Sequence, residues 1–232
     1  MNNKKNIFIT GTSKGIGNKL AKLYLSKGFN VWGCSRSKNN INHIQYFHQK
    51  IDILDHKKLI SFLRKLKKKK VFMDILVLNA AIISRSLFIN ENYKSIKNNT
   101  DLNYVSNLMI INFFLKDMIR LNKGNIVFFS SISTSLKNIG TSLYSSIKSG
   151  LEMFMEILSK EVKIFRIKII IFKISYIKTD MSKKLNKAEY LKIKKKLKIH
   201  NLKNAKDLFE LIQKSINRTD KKNLFFYKDV YK

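Results

Sequence analysis

The sequence predicts a single α/β domain over residues 1–232, a doubly wound parallel sheet with helices on both faces. Three observations carry this expectation. Short apolar runs alternate with amphipathic stretches of helical period, the pattern of βαβ units whose parallel strands are covered on both sides. The first apolar run ends in a glycine-rich turn directly ahead of a helix. No internal repeat and no Ser/Gly/Pro linker divides the chain.

The elements follow in order. Residues 4–10 read as a short buried strand, and Gly15–Ser26 as a helix with Ile16, Leu20, Leu23 and Tyr24 on one side. Gly28 suits the cap that ends this helix. Residues 31–34 form a second strand, residues 44–51 lead to Asp52, and residues 54–70 are helical. Residues 74–79 form the next strand. A long helix bearing Leu102, Leu108, Ile111, Phe114, Leu115 and Met118 then precedes the strand at 126–130, which Gly124 introduces. Residues 143–160 are helical again, and Ile167–Ile174 is a continuous apolar strand. A very basic helical tail is expected at 183–217, with a last strand at Leu224–Tyr227.

Composition excludes several function classes. The one cysteine rules out a disulfide scaffold and a Cys-rich zinc site. The four histidines, His43, His48, His56 and His200, form no ligand cluster, so no metal is expected. The longest apolar stretches, such as 169–172, are broken by lysines well short of the ~20 residues of a membrane span. The chain opens Met-Asn-Asn-Lys-Lys and enters an apolar strand at once, so a secretory leader is not expected and the cytoplasm is the expected compartment.

The net charge of +32 would ordinarily point to nucleic acid or an anionic membrane. Its make-up argues against that. Lysine supplies 41 of the 47 basic residues, isoleucine contributes 32 residues and asparagine 24, while proline is absent. Those three residue types have A/T-rich codons, so the profile is that of an A/T-biased genome. Arginine, whose fork reads phosphate and guanine, is the residue a nucleic-acid site would keep. No nucleic-acid partner is therefore expected, and the basic tract from Lys67 to Lys70 reads as a solvated helix end. Cys34, Trp32 and the Phe113–Phe114 pair read as core packing.

Three motifs carry chemistry. Thr10-Gly11-Thr12-Ser13-Lys14-Gly15-Ile16-Gly17 joins the first strand to the first helix and holds three of the eight glycines. Glycine permits the tight turn and the close approach of backbone to a pyrophosphate seated on the helix N-terminus. The second strand ends Cys34-Ser35-Arg36. An arginine at that place accommodates a 2′-phosphate, and Lys14 adds a second cation, which favours NADP(H) over NAD. Ser131 is followed thirteen residues later by Tyr144 and then by Lys148, whose i, i+4 spacing puts phenol and ammonium on one helix face. A nearby cation lowers a phenol's pKa, and the phenol can then protonate a carbonyl oxygen as hydride arrives at carbon.

In this order and spacing the motifs resemble the short-chain dehydrogenase/reductase family, whose fold is Rossmann-like. The resemblance runs from Lys5 to about Met181 and more loosely to the end. It implies a mainly cofactor-binding half at 1–100, a catalytic half at 101–182, and a substrate-loop and C-terminal region at 183–232. It implies cofactor contacts from Gly11, Ser13, Lys14, Gly15, Ile16, Gly17 and Arg36, and adenine contacts from Asp52 and Ile53. Asn79 and Ala80, in Leu78-Asn79-Ala80-Ala81, match the segment that supports the sheet and lines the adenosine ribose, and Ile177 and Thr179 match the segment at the nicotinamide carboxamide. It further implies a catalytic set of Asn103, anchoring a proton-relay water, Ser131, orienting the carbonyl, Tyr144, the proton donor, and Lys148, which binds ribose. Ser131 and Tyr144 would also contact substrate.

Within the family the chain looks most like the 3-oxoacyl-(acyl-carrier-protein) reductases of fatty acid biosynthesis. That implies an acyl-carrier protein as partner, with Lys123 and Arg166 as docking candidates, and a homotetramer built through the long helices. The chain departs from the family pattern at Ile174 and Ser175, which replace Pro-Gly, at Ala81 and at Ser106. A reductase of another small carbonyl compound is the alternative. A catalytically silent nucleotide-binding protein is a third reading, opposed by the intact Asn103, Ser131, Tyr144 and Lys148.

Overall fold

The structure is a computed structural model, and it describes residues 4–174, 205–219 and 222–227. Its sheet contains β1 (Asn6–Thr10), β2 (Asn30–Ser35), β3 (Tyr46–Lys50), β4 (Ile75–Leu78), β5 (Gly124–Ser131), β6 (Ile167–Ile174) and β7 (Leu224–Tyr227). They lie in the order β3-β2-β1-β4-β5-β6-β7, and every neighbouring pair is parallel. The order reverses between β1 and β4, and at such a switch point an open α/β sheet leaves a crevice at its C-terminal edge.

The helices are α1 (Gly15–Ser26), α2 (His56–Lys68), α3 (Tyr93–Thr100), α4 (Ser106–Arg120), the single-turn α5 (Ser133–Leu136), α6 (Ser142–Glu161) and α7 (Ala205–Ile216). Strand periodicity sorts the core into two layers. Ile7 and Ile9 of β1 face α1 and α7, where they meet Leu20, Tyr24, Leu208 and Ile212. Phe8 points the other way, its ring 6.1 Å from that of Phe62 on α2 and 5.6 Å from that of Phe114 on α4. Tyr24 joins α1 to α7: its ring meets Phe209 edge-on at 4.9 Å and its hydroxyl accepts a hydrogen bond from Gln213 at 3.0 Å.

Local chemistry sets the element ends. Gly28, at φ +78°, stops α1 in the left-handed region, and the N–H of Phe29 reaches back to the carbonyl of Tyr24 at 3.1 Å. Asp55 caps α2 by accepting from the N–H of Lys58 at 3.0 Å. Cys34 is fully buried in β2, and burial pushes its thiol up to about 12, so it packs as a core residue. Trp32 stacks on Phe47 with ring centroids 4.2 Å apart.

Two expectations change in detail. The long helix before β5 is α3 and α4 joined by a wide π-helical turn, Asp101–Val105. The Asn107 amide donates to the carbonyls of Leu102 (3.3 Å) and Asn103 (2.9 Å), occupying acceptors that the wide turn leaves open. Of the basic tail expected at 183–217, the described part is helical from Ala205 to Ile216, and the remainder lies outside the described residues. No described helix is long and apolar enough to cross a membrane, and no group of described His, Cys, Asp and Glu side chains is placed to hold a metal ion.

Candidate active site

Because all strands are parallel, the turns after β1, β2, β3, β4 and β5 open on the same edge of the sheet. That topology collects residues from 10 to 174 along one crevice. At its centre the glycine loop turns from Thr10 into α1 with Gly11 at φ +76° and Gly15 at φ +64°, a region L side chains rarely enter. A Cβ on Gly17 would lie 2.3 Å from the carbonyl oxygen of Gly11, so only glycine lets the helix start so close to the loop. Asn79 clamps the loop from β4: its amide donates to the carbonyls of Thr10 (2.8 Å) and Gly11 (3.3 Å). The Thr10 hydroxyl accepts from the N–H of Asn79 (3.0 Å) and of Ala80 (2.9 Å).

The N-terminus of α1, like those of α4, α5 and α6, carries no side-chain cap, and it holds no acidic residue. Glycine loop and uncapped helix N-terminus together fit the pyrophosphate of a dinucleotide. Ser13 is half-buried and Lys14 exposed at this rim. Arg36 is exposed immediately past β2, on a turn folded by the Ser35 hydroxyl donating to the carbonyl of Ser37 at 2.9 Å. Asp52 turns its carboxylate to the N–H of Leu54 at 3.1 Å, and Ile53 is buried with its carbonyl accepting from Ser106 at 2.8 Å. Ser106, where the resemblance leads one to expect glycine, thus gains a hydrogen-bonded role.

The catalytic candidates gather beside this loop. The Ser131 hydroxyl, at the end of β5, accepts from the Ser133 hydroxyl at 2.9 Å and is hydrogen-bonded to the Tyr144 phenol. Tyr144 and Lys148 share one face of α6 and are 6% and 3% exposed. The Lys148 ammonium donates to the carbonyl of Phe129 at 2.9 Å and stands 5.8 Å from the centre of the Tyr144 ring. Asn103 is fully buried in the π-helical turn; it accepts from the N–H of Ile82 at 3.2 Å and donates to the Ile82 carbonyl at 2.9 Å. It thereby pins the loop after β4 against the site. Ile177 and Thr179 lie outside the described residues.

Electrostatics depart from expectation. Lys148 does not bring the phenol down: burial dominates and pushes Tyr144 up to about 12, against smaller downward pulls from the Ser131 hydrogen bond and the positive charge of Arg85. Burial also brings Lys148 down to about 8, with the Glu152 carboxylate opposing the fall. Arg85 and Glu152 are the residues sequence reasoning missed. Glu152 was findable, since Tyr144, Lys148 and Glu152 repeat at four-residue spacing in a chain with only 15 acidic residues. The two docking candidates sit elsewhere. Lys123 and Arg166 precede β5 and β6, so they flank the opposite edge of the sheet, and Lys123 is paired with Asp74 at 2.9 Å.

Comparison with known proteins bears on family and fold. Residues 5–190 match the family model described as short chain dehydrogenase. A 3-oxoacyl-(acyl-carrier-protein) reductase, FabG, of Buchnera aphidicola subsp. Schizaphis graminum is 32% identical over 211 residues, covering 88% of this chain and 86% of that protein. Among solved structures, 4-hydroxyisoleucine dehydrogenase complexed with NADH superposes with a TM-score of 0.88 at 21% identity, over 97% of each chain. ElxO with NADP bound gives 0.80 at 23% identity, again over 97% of each. These two structural likenesses bear on the fold.

Proposed function

The chain belongs to the short-chain dehydrogenase family, and from that premise we propose that it reduces a 3-oxoacyl thioester carried on acyl-carrier protein to the 3-hydroxyacyl form with NADPH. The carrying observation is the set of Ser131, Tyr144 and Lys148 beside a glycine loop built for a dinucleotide. The Buchnera relative, 32% identical over 211 residues, is a reductase of this class, which supports the substrate. NADPH is supported by Arg36 and Lys14 at the two places where a 2′-phosphate would be met.

The cofactor, when bound, supplies hydride to the β-carbon of the substrate. Backbone N–H groups at the start of α1 hold its pyrophosphate, and Arg36 its 2′-phosphate. Ser131 donates a hydrogen bond to the substrate carbonyl oxygen and orients it. Tyr144 gives its phenolic proton to that oxygen, a transfer worth roughly 10²–10⁴-fold in rate. Lys148 would bind ribose hydroxyls through its ammonium, which stands 5.8 Å from the Tyr144 ring centre. Asn103 keeps the loop after β4 closed on the site. Two exposed apolar residues on the outer face of α6, Met153 and Ile157, support assembly with further copies, as expected for a homotetramer.

The test is oxidation of NADPH with acetoacetyl thioester on a carrier protein, run beside Tyr144→Phe. Turnover in the parent chain and its loss in the variant is the expected result. NADPH binding without turnover of the thioester moves the assignment to another carbonyl substrate.

A further inference from the structure

We propose that Glu152 is a positioning residue of this site, holding the helix that carries Tyr144 and Lys148 in register with the turn that carries Ser131 and supplying the counter-charge of Lys148. The inference rests on the reading of Ser131, Tyr144 and Lys148 given above. Glu152 is 7% exposed on α6, one turn beyond Lys148. One carboxylate oxygen accepts from the hydroxyls of Ser130 and, at 3.1 Å, Thr134. The Ser131 carbonyl lies 2.8 Å from the same hydroxyl, whose single proton is shared between the two acceptors, so Thr134 sits between the carboxylate and the backbone of the catalytic serine. The other oxygen pairs at 3.1 Å with Lys173 of β6, whose ammonium also donates to Ser135 at 3.1 Å.

One carboxylate therefore joins α6, the end of β5, α5 and β6 directly beneath the site. A carboxylate so deeply placed is costly unless it is paired and hydrogen-bonded, and here both oxygens are engaged. A pair serving only the fold could be replaced by apolar groups, since such replacement is often neutral or stabilising. This pair is placed where its charge also acts on a buried ammonium. Lys148 stands 5.8 Å from the Tyr144 ring centre and feels the Glu152 charge one turn along α6; Lys173 of β6 pairs with Glu152, and Arg85 acts on Tyr144. Glu152 is the anion of that set.

The experiment compares Glu152→Gln, which keeps an acceptor oxygen and removes the charge, with the double variant Glu152→Leu/Lys173→Met, which replaces the pair by apolar groups. Two readouts are taken on the full chain. The titration of Lys148 is followed by NMR of 13Cε-labelled lysines, assigned by the resonance lost in Lys148→Arg. The pH profile of kcat/KM for NADPH is followed alongside. Glu152→Gln is expected to titrate Lys148 about one pH unit lower than the parent, and the double variant lower by less, because it also removes the positive charge of Lys173. In Glu152→Gln, kcat/KM at pH 8 should fall about fivefold or more while staying within about twofold at pH 6. A double variant of parental thermal stability shows that the pair is not needed for packing and leaves the Glu152→Gln shift as the electrostatic effect. An unmoved Lys148 titration in folded Glu152→Gln overturns the proposal, and so does loss of folded protein in both variants, which would make Glu152 a residue of the fold alone. A parent chain inactive on the thioester removes the substrate reading and leaves the NMR measurement standing.

Discussion

At the scale of single residues, the buried Tyr144 and Lys148 set the pH behaviour. Lys148 titrates near 8 in the folded chain, below its ordinary value of 10.5, because burial penalises its charge. The ribose-binding form is the protonated one. So kcat/KM for NADPH, which reports on the free enzyme, is expected to fall as pH rises through about 8, and a pH–rate profile checks this. Stability moves in the opposite sense for this group. Between pH 8 and 10.5 the unfolded chain binds more protons at Lys148 than the folded one, so its contribution to stability rises with pH across that window, by about 3 kcal/mol in all. Tyr144, raised from 10 to about 12, works against it from pH 10 upward. Arg36→Ala is expected to weaken NADPH binding about 10–100-fold while leaving NADH within about threefold, as titration of each nucleotide would show. That Ser131, Tyr144 and Lys148 would come together was legible in their spacing. The direction of the Tyr144 shift was not, because it is set by burial of the phenol, which depends on packing from elements distant in sequence.

At the scale of elements, the site is held by joints between pieces distant in sequence. Asn79 clamps β4 to the glycine loop, Asn103 clamps the π-helical turn to the loop after β4, and Ser106 clamps α4 to the segment after β3. Ser106→Ala strands the buried Ile53 carbonyl and is expected to cost about 1–3 kcal/mol by denaturant titration, with little effect on the chemical step. Gly17→Ala forces a methyl onto the Gly11 carbonyl. It is expected to cost about 1–3 kcal/mol and to weaken NADPH binding at least about tenfold, measured by calorimetry. The strands and helices themselves were readable from apolar periodicity, and Ile167–Ile174 and Leu224–Tyr227 lie where that pattern places them. The π-helical turn was not readable, because it lies inside one long apolar stretch and shows itself only in backbone bonds such as that from the N–H of Ser106 to the carbonyl of Asp101.

At the scale of the whole molecule, the net charge of +32 spreads over a surface with few acids to offset it. Mutual repulsion favours expansion, so thermal stability is expected to rise by several degrees between about 10 mM and 300 mM salt, where screening shortens its reach. Fold class followed from alternation of strand and helix; of the basic helical tail read at 183–217, the part before Ala205 lies outside the described residues. The strand order has a further bearing, on how the chain is made. β1 occupies the middle of the sheet, yet its second neighbour is β4, with Ile7 set against Ile75. During synthesis β1 must wait, one edge open, until some seventy further residues have left the ribosome, a delay in which a nascent chain depends on being shielded from its neighbours. Once released, a chain without proline has no slow prolyl isomerisation to await, and whatever limits its maturation is the meeting of distant strands.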